Sequence, residues 1–442
     1  MSEVNIQGFS GANNVREQFW AKSGIAEPRV VLNADVSVDT SISVRSGKTL
    51  HISLPGAHSL WAGNVCELCV AANILYRIQN GVATNVGTVT GPKYPFSYVD
   101  AENKVYISNP YWQGVFDPVT NTVSSWGLSV PPSPVLLSAA GGLPIGSYNV
   151  CMTNVSGTEL SGNSSIMSIS LTAVGGIQIL NRPANALVWI TDSNEPIFYL
   201  VGATDTIVDM PTVEPLPSFL CSPPPYMENL CYAFGRIWGS SGSDVYYSQP
   251  FSLGLYKLVS NKYSFEDTIT MIAKVPTGLF IGMNKRTKFL SGTVPEKMTQ
   301  MDAGAGSAKG TLVYCNNMPE LGWTLGTPEK DFTDVPVWVT TEGIVVGSPS
   351  GKFFNISKNK LKMAIPSTGA SLYRNREGII QFLTSFKSGV TGSGSGFIDQ
   401  DTYDVFENGK LDTHNEIVRD MGSRTGFSDS ATCTVTRDGI EI

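Results

Sequence analysis

The stretch Gly235–Pro250 reads GRIWGSSGSDVYYSQP. An apolar run around Ile237 and Trp238 meets a Gly-Ser turn, and a second run with alternating Val245 and Tyr247 ends at a polar stop. Apolar alternation closed by a short Gly or Asn turn is the strongest local hairpin signal a sequence offers. The chain repeats the phrase. Before it stand LCVAANILYRI (Leu68–Ile78), turning at Ala72 and Asn73, and YVDAENKVYIS (Tyr98–Ser108), turning at Glu102 and Asn103. After it come LFIGMNKRTKFLSG (Leu279–Gly292), VWVTTEGIVVGS (Val337–Ser348) and LYRNREGIIQFLTS (Leu372–Ser385).

Six hairpins recurring mostly at blade-sized intervals predict an all-β fold, a β-propeller that is six-bladed by this count. Each phrase is then the middle hairpin of a four-stranded blade. A pair of β-sandwiches is the competing arrangement. The interval between the second and third hairpins is too long for one blade. Two proline-rich stretches bracket it, SVPPSPVLL (Ser129–Leu137) and PTVEPLPSFLCSPPPY (Pro211–Tyr226). Proline suits extended connections and is barred from central strands. Between them lie short strands at sandwich spacing, which predicts an inserted β-sandwich of fibronectin-III-like type.

The organisation expected is an N-terminal arm (1–34), a first propeller part (35–130), the inserted module (131–225), a second propeller part (226–390) and an acidic C-terminal extension (391–442). GANNVREQFWAK (Gly11–Lys22) could form one short helix. VSVDTSISV (Val36–Val44) is the candidate strand for closing a ring against the last blade. SGVTGSGSGF (Ser388–Phe397) reads as a flexible linker. Ten acidic residues against four basic ones follow it.

The totals agree with this reading. Of 442 residues, 42% are hydrophobic and 15% charged, enough to bury large cores, and the frequent glycine and proline favour turns over helices. A formal net charge of −7 argues against a nucleic-acid binder by composition. Seven scattered cysteines and a polar N-terminus without an apolar core predict reduced thiols in a soluble chain made in a cytosol.

Chemistry-bearing motifs are few. GAGSAKGT (Gly304–Thr311) has Lys309 before Gly310, the wrong order for a phosphate loop, and reads as a surface loop. Cys66 and Cys69 form a lone C-x-x-C with no second pair for zinc, so core cysteines are expected. His51, His58 and His414 share no metal-binding spacing. Asp399–Lys410 departs from a calcium loop at Asp404 and Lys410. No catalytic, cofactor or metal residue is assigned, and no enzyme activity is expected. One stretch stands out by charge: Lys352, Lys358, Lys360, Lys362, Arg374, Arg376 and Lys387 against Glu377 alone. It is read as a solvated edge or a basic partner-contact face.

The segments LPGAHSLWAGNVCELCVAANILYRI, FGRIWGSSGSDVYYSQPFSLGLY, GLFIGMNKRTKFLSGTVPEKMTQ and YNVCMTNVSGTELSGNSS resemble tail nozzle proteins of short-tailed bacteriophages, the tail tubular protein B or packaged-DNA stabilisation family. The resemblance spans about Ile52 to Ser385. It implies a homo-oligomer, a hexameric ring below the portal and its adaptor, the head-to-tail connector. Such a ring retains the packaged genome and conducts DNA without sequence specificity during ejection. Tail fibres or spikes attach around it, and the chain resides in the virion tail, with no membrane insertion. The alternatives are a receptor-binding tail component and a glycan-active propeller enzyme, the latter lacking the repeated Asp boxes of sialidase-type propellers.

Overall fold

The computed structural model describes residues 52–211, 214–315, 335–357, 368–376 and 379–386, with short segments at 8–9, 25–26, 34–36, 41–44, 436–437 and 440–441. The fold is all-β. Among the described residues the one helical segment is a 3-10 turn, Pro295–Lys297. The chain divides into two compact units, one spanning Leu54–Glu266 and the other Met1–Ser53 with Asp267–Ile442.

The Leu54–Glu266 unit holds three four-stranded antiparallel sheets, each a meander in chain order. The first comprises His58–Ala62, Glu67–Ala71, Ile74–Gln79 and Val82–Thr88. The second comprises Ser97–Ala101, Lys104–Ser108, Gln113–Asp117 and Thr122–Ser124. The third comprises Glu228–Ala233, Arg236–Ser241, Asp244–Tyr247 and Lys262–Ser264. The turn residues Ala72 and Asn73 both take positive φ (48° and 61°), as do Glu102 and Asn103 (51° and 59°). Two left-handed residues in succession give a turn whose twist matches that of the flanking strands, which is why two residues suffice.

Alternation along these strands buries one row on each side. Leu68, Val70 and Leu75 of the first sheet interlock with Tyr98, Val105, Ile107 and Phe116 of the second. Tyr106, Val115 and Trp126 pack against Met227, Leu230, Ile237 and Tyr256 of the third. The second and third sheets are therefore direct neighbours although about a hundred residues separate them. The Met227 N–H donates to Ser108 Oγ at 3.0 Å, Leu230 N–H to Ser97 Oγ at 2.7 Å, and the Trp126 indole to the Leu253 carbonyl at 2.9 Å.

The intervening residues form two sheets. Leu136–Leu143, Gly175–Ile179 and Thr206–Ile207 make one; Gly146–Ser156, Glu159–Leu160, Met167–Leu171, Ala186–Thr191 and Phe198–Gly202 make the other. Leu143, Ile177, Ile179 and Ile207 from the three-stranded sheet meet Tyr148, Val150, Met152, Val188 and Ile190 from the five-stranded sheet in one closed core.

The other unit holds a fourth meander, Ile269–Val275, Gly278–Met283, Arg286–Ser291 and Thr299–Ala305, and a fifth, Val313–Cys315, Val335–Thr340, Gly343–Gly347 and Phe353–Asn355. Phe280 packs between Phe289 and Trp338, with ring centroids at 4.9 and 5.3 Å. The strands Gly369–Arg376 and Ile379–Phe386 form a two-stranded sheet whose Tyr373 and Phe382 pack on the fifth sheet's core.

Three expectations shift. Gly304–Thr311 is not a surface loop throughout, because Gly306, Ser307 and Ala308 are buried. The Ser307 and Ala308 N–H groups donate to the Met283 and Val339 carbonyls, and Ser307 pairs with the Thr270 hydroxyl, so the segment ties the fourth sheet to the fifth. A Cβ at Gly306 would overlap the Asn284 carbonyl, which is why glycine stands there. Secondly, the Tyr98–Ser108 hairpin is the first pair of its meander, not the middle pair. Thirdly, Val36–Val44, read as one strand, contributes to two strands of a local hairpin, Ala34–Val36 against Ile42–Val44. The proposed short helix and the Gly/Ser linker lie outside the described residues.

Candidate functional site

Of the basic residues singled out by sequence, Lys352 sits exposed in the turn before Phe353–Asn355, where its carbonyl accepts the Ser348 N–H at 2.7 Å. Arg374 and Arg376 lie on the strand Gly369–Arg376, whose register pairs them with Gln381 and Ile379. Lys358, Lys360, Lys362 and Lys387 fall outside the described residues, as do His51 and His414. A joint basic face is thus neither assembled nor dispersed by what is described.

Sequence reasoning missed a polar and aromatic cluster where the first two sheets meet. Trp61 stacks on Tyr98 at 5.3 Å, Phe96 meets Trp112 edge-on at 5.8 Å, and His58 stacks on Phe96 at 6.3 Å. The Ser59 hydroxyl lies 2.8 Å from His58 Nδ1 and accepts the Phe96 N–H. The signal was present as aromatics at every second position, Tyr94, Phe96 and Tyr98, but such a stripe reads as ordinary core.

Within this cluster Asp100 accepts the Asn64 N–H at 2.7 Å through Oδ2, while its Oδ1 and the Tyr98 hydroxyl have no hydrogen-bond partner among the described residues. Burial raises the Asp100 carboxyl above the usual range, against the lowering effect of the Asn64 bond. Burial also pushes the Cys66 and Cys69 thiols to about 11, Cys66 being further raised by the nearby Asp100 charge. Both thiols stay protonated at neutral pH and offer no thiolate nucleophile. Burial, then the nearby Lys93, lowers His58, which favours the neutral imidazole. The arrangement is a wedge between sheets.

A prediction follows from Asp100. Its folded pKa is raised, so the folded state binds the proton more tightly than the unfolded chain does. Stability is then greatest below the ordinary carboxylate pKa of about 3.9 and falls as pH rises through the window above it. Asp100→Asn keeps an oxygen for Asn64 and removes the charge. It is expected to melt at or above wild type at pH 7, by no more than about 1 kcal/mol given solvent screening on its open side. The gain should shrink as pH falls toward 4. A variant that melts well below wild type at pH 7 would show that the ionised carboxylate is needed.

The inserted module is the second candidate. The chain leaves the second sheet beside the point where it rejoins the third: the space around Gly127 (φ 81°) is bounded by Gly254, Pro223 and Pro224. On the way back, Leu216 and Phe219 cover the outer face of the five-stranded sheet, packing on Cys151, Trp189 and Phe198. The Leu220 N–H donates to Asn163 Oδ1 at 2.7 Å, and Gly162 lies so close to the Cys221 carbonyl that any side chain there would overlap it. One layer of the module is thus covered on both faces.

No family model and no curated protein matches the chain. Several solved structures overlap it at low identity. Sqt1 of Saccharomyces cerevisiae is 12% identical, with 66% of this chain and 69% of that one covered and a TM-score of 0.26. The computationally designed protein Ika8 is 12% identical over 76% of this chain and 99% of that one, with a TM-score of 0.27. BBS1N, solved in complex with ARL6DN, is 10% identical over 76% and 90%, with a TM-score of 0.28.

Proposed function

We propose that the chain is a structural component of a bacteriophage tail. In this reading it is a nozzle subunit whose six repeats close into a β-propeller and whose copies form a ring below the portal and adaptor. The ring retains the packaged genome and conducts it during ejection. The observation that carries the reading is architectural. Within each compact unit consecutive meanders pack on one another, and a self-contained two-sheet module is seated in one connection between adjacent sheets. Scaffolds of this kind present loops and a module to neighbours while each sheet buries its faces against the next. The sequence resemblance over Ile52–Ser385 supplies the assignment to tails. Lys352 and the basic positions after it are then a contact for a neighbouring tail component, and DNA passes without base readout.

The test is immunogold labelling of intact virions with antibody to this chain, with copy number measured against the portal. Label at the distal end of a short tail, at about six copies per particle, is the expected result. Label on peripheral fibres would favour a receptor-binding component, which the exposed side of the inserted module also suits. Absence from the particle would overturn both.

A further inference from the structure

Residues 192–197 of the inserted module join the strand Ala186–Thr191 to the strand Phe198–Gly202. The chain reads DSNEPI there, and Asp192, Asn194 and Glu195 are exposed. A turn opens at Asp192, whose carbonyl accepts the Glu195 N–H at 3.1 Å. Asn194 takes positive φ (61°), and its N–H donates to the Ser147 carbonyl at 3.0 Å. Ser193 lies against Gly146, where a Cβ would overlap its hydroxyl. These ties fix the peptide between Asp192 and Ser193. They hold the Ser193 nitrogen 2.6 Å from Asp192 Oδ1, so its N–H sits on the carboxylate of the residue before it.

That contact sets a nucleophile beside an electrophile. A backbone nitrogen that reaches the carboxyl carbon of the preceding aspartate closes a five-membered imide. Intramolecular steps of this kind gain most from proximity set in advance. Two other places set the comparison. Asn80–Gly81 is the motif a sequence scan would choose, since glycine leaves the nitrogen uncrowded. It forms the two-residue turn between Gln79 and Val82, with both residues left-handed (φ 50° and 76°). Among the described residues the Asn80 side chain makes no bond to the Gly81 N–H. Asp267–Thr268 repeats the contact at 2.7 Å. There the β-branched threonine crowds the nitrogen, and Asp267 Oδ1 also accepts from the Asn284 amide. Asp192 meets neither obstacle.

We propose that Asp192–Ser193 is a site of spontaneous main-chain isomerisation, with water as the only co-reactant. The Ser193 nitrogen attacks Asp192 Cγ and forms a C–N bond; its proton and the carboxyl hydroxyl leave together as water. Water then adds to the imide at the original main-chain carbonyl and breaks that carbonyl's bond to nitrogen. The chain now runs through the side-chain carbonyl, as isoaspartate. One water leaves and one enters, so mass is unchanged and nothing is oxidised or reduced. The first step uses the neutral carboxyl, so it quickens as pH falls toward the ordinary carboxylate pKa of about 3.9. The product carries an extra methylene in the main chain, which displaces the turn bonds of Asn194 and Glu195. The site stands whether or not the chain belongs to a tail, since it rests only on this loop.

The experiment ages the full chain at about pH 6, at a temperature where it stays folded. Isoaspartate is then labelled with an isoaspartyl methyltransferase and tritiated S-adenosylmethionine, and peptide mapping locates the label. Most label is expected on the peptide that holds Asp192. It should build up at least about threefold faster in the folded chain than in chain kept in concentrated urea, because only the fold sets the contact. Asp192→Glu, whose imide would need a six-membered ring, should lose the label on this peptide. Asp192→Asn should gain it faster at neutral pH, with the small mass rise of an amide becoming an acid as ammonia leaves. A folded chain that labels first at Asn80, or that labels at Asp192 no faster than the unfolded chain, overturns the proposal.

Discussion

Trp126→Ala is expected to destabilise the Leu54–Glu266 unit by about 3–5 kcal/mol, the range for removing a fully packed tryptophan. Trp126 is 2% exposed and packs on Tyr106 at 5.3 Å and on Tyr256 at 6.2 Å. Its indole N–H donates to the Leu253 carbonyl, 127 residues further along the chain. The side chain therefore joins the second sheet to the third across the whole insertion. Truncation leaves a cavity between Tyr106 and Tyr256 and a buried carbonyl without its donor, and the two costs add. Trp126→Phe refills much of the volume but not the bond, and should cost roughly 1–3 kcal/mol. Denaturant melts of the two variants separate the terms. If alanine costs less than about 1 kcal/mol, the two sheets are held together elsewhere.

How much of this was legible beforehand depended on the chemistry of each turn. Ala72–Asn73 and Glu102–Asn103 were readable because a two-residue turn between alternating strands leaves a local signature, and both took the left-handed backbone expected of it. The strands at the ends of the meanders were not readable. Thr122–Ser124 and Lys262–Ser264 are three residues each, too short to alternate, and 14 residues separate the second from Tyr247. They pair because a neighbouring strand offers its edge, which is a tertiary cause. The phase of the second meander slipped for the same reason: Lys104–Ser108 pairs on both sides, and its partner Gln113–Asp117 follows a turn containing Pro110 and Trp112 that does not announce a hairpin.

The site was less legible than the fold. Asp100 is an ordinary carboxylate in sequence, and only its burial in the fold raises its pKa. The buried tie at Ser307 and Ala308 was hidden by a glycine-rich composition that usually marks exposed loops. There the glycines serve close approach of backbone to backbone. The row of Leu137, Gln178 and Thr206 across the module's three-stranded sheet depends on the registers of three strands drawn from seventy residues of chain, and no window of sequence brings them together.

Excising residues 129–221 and bridging the gap with a short Gly-Ser segment is expected to leave a folded Leu54–Glu266 unit. The cut ends are close, since Gly127 lies against Pro223 and Pro224, so the closure entropy of a short bridge is small. The second and third sheets keep their shared core, the Trp126 bond and the Met227 and Leu230 bonds, none of which uses a residue of the module. The module in turn closes its own core with side chains of its two sheets and Met210, and Leu216 and Phe219 travel with it, so residues 129–221 should fold in isolation. Two cooperative melts, one for each product, are the expected result. A module that folds only within the full chain would mean that contacts outside its two sheets sustain it. A shortened chain that aggregates would mean that the second and third sheets meet only when the module holds them, and the direct packing between them would then be its consequence.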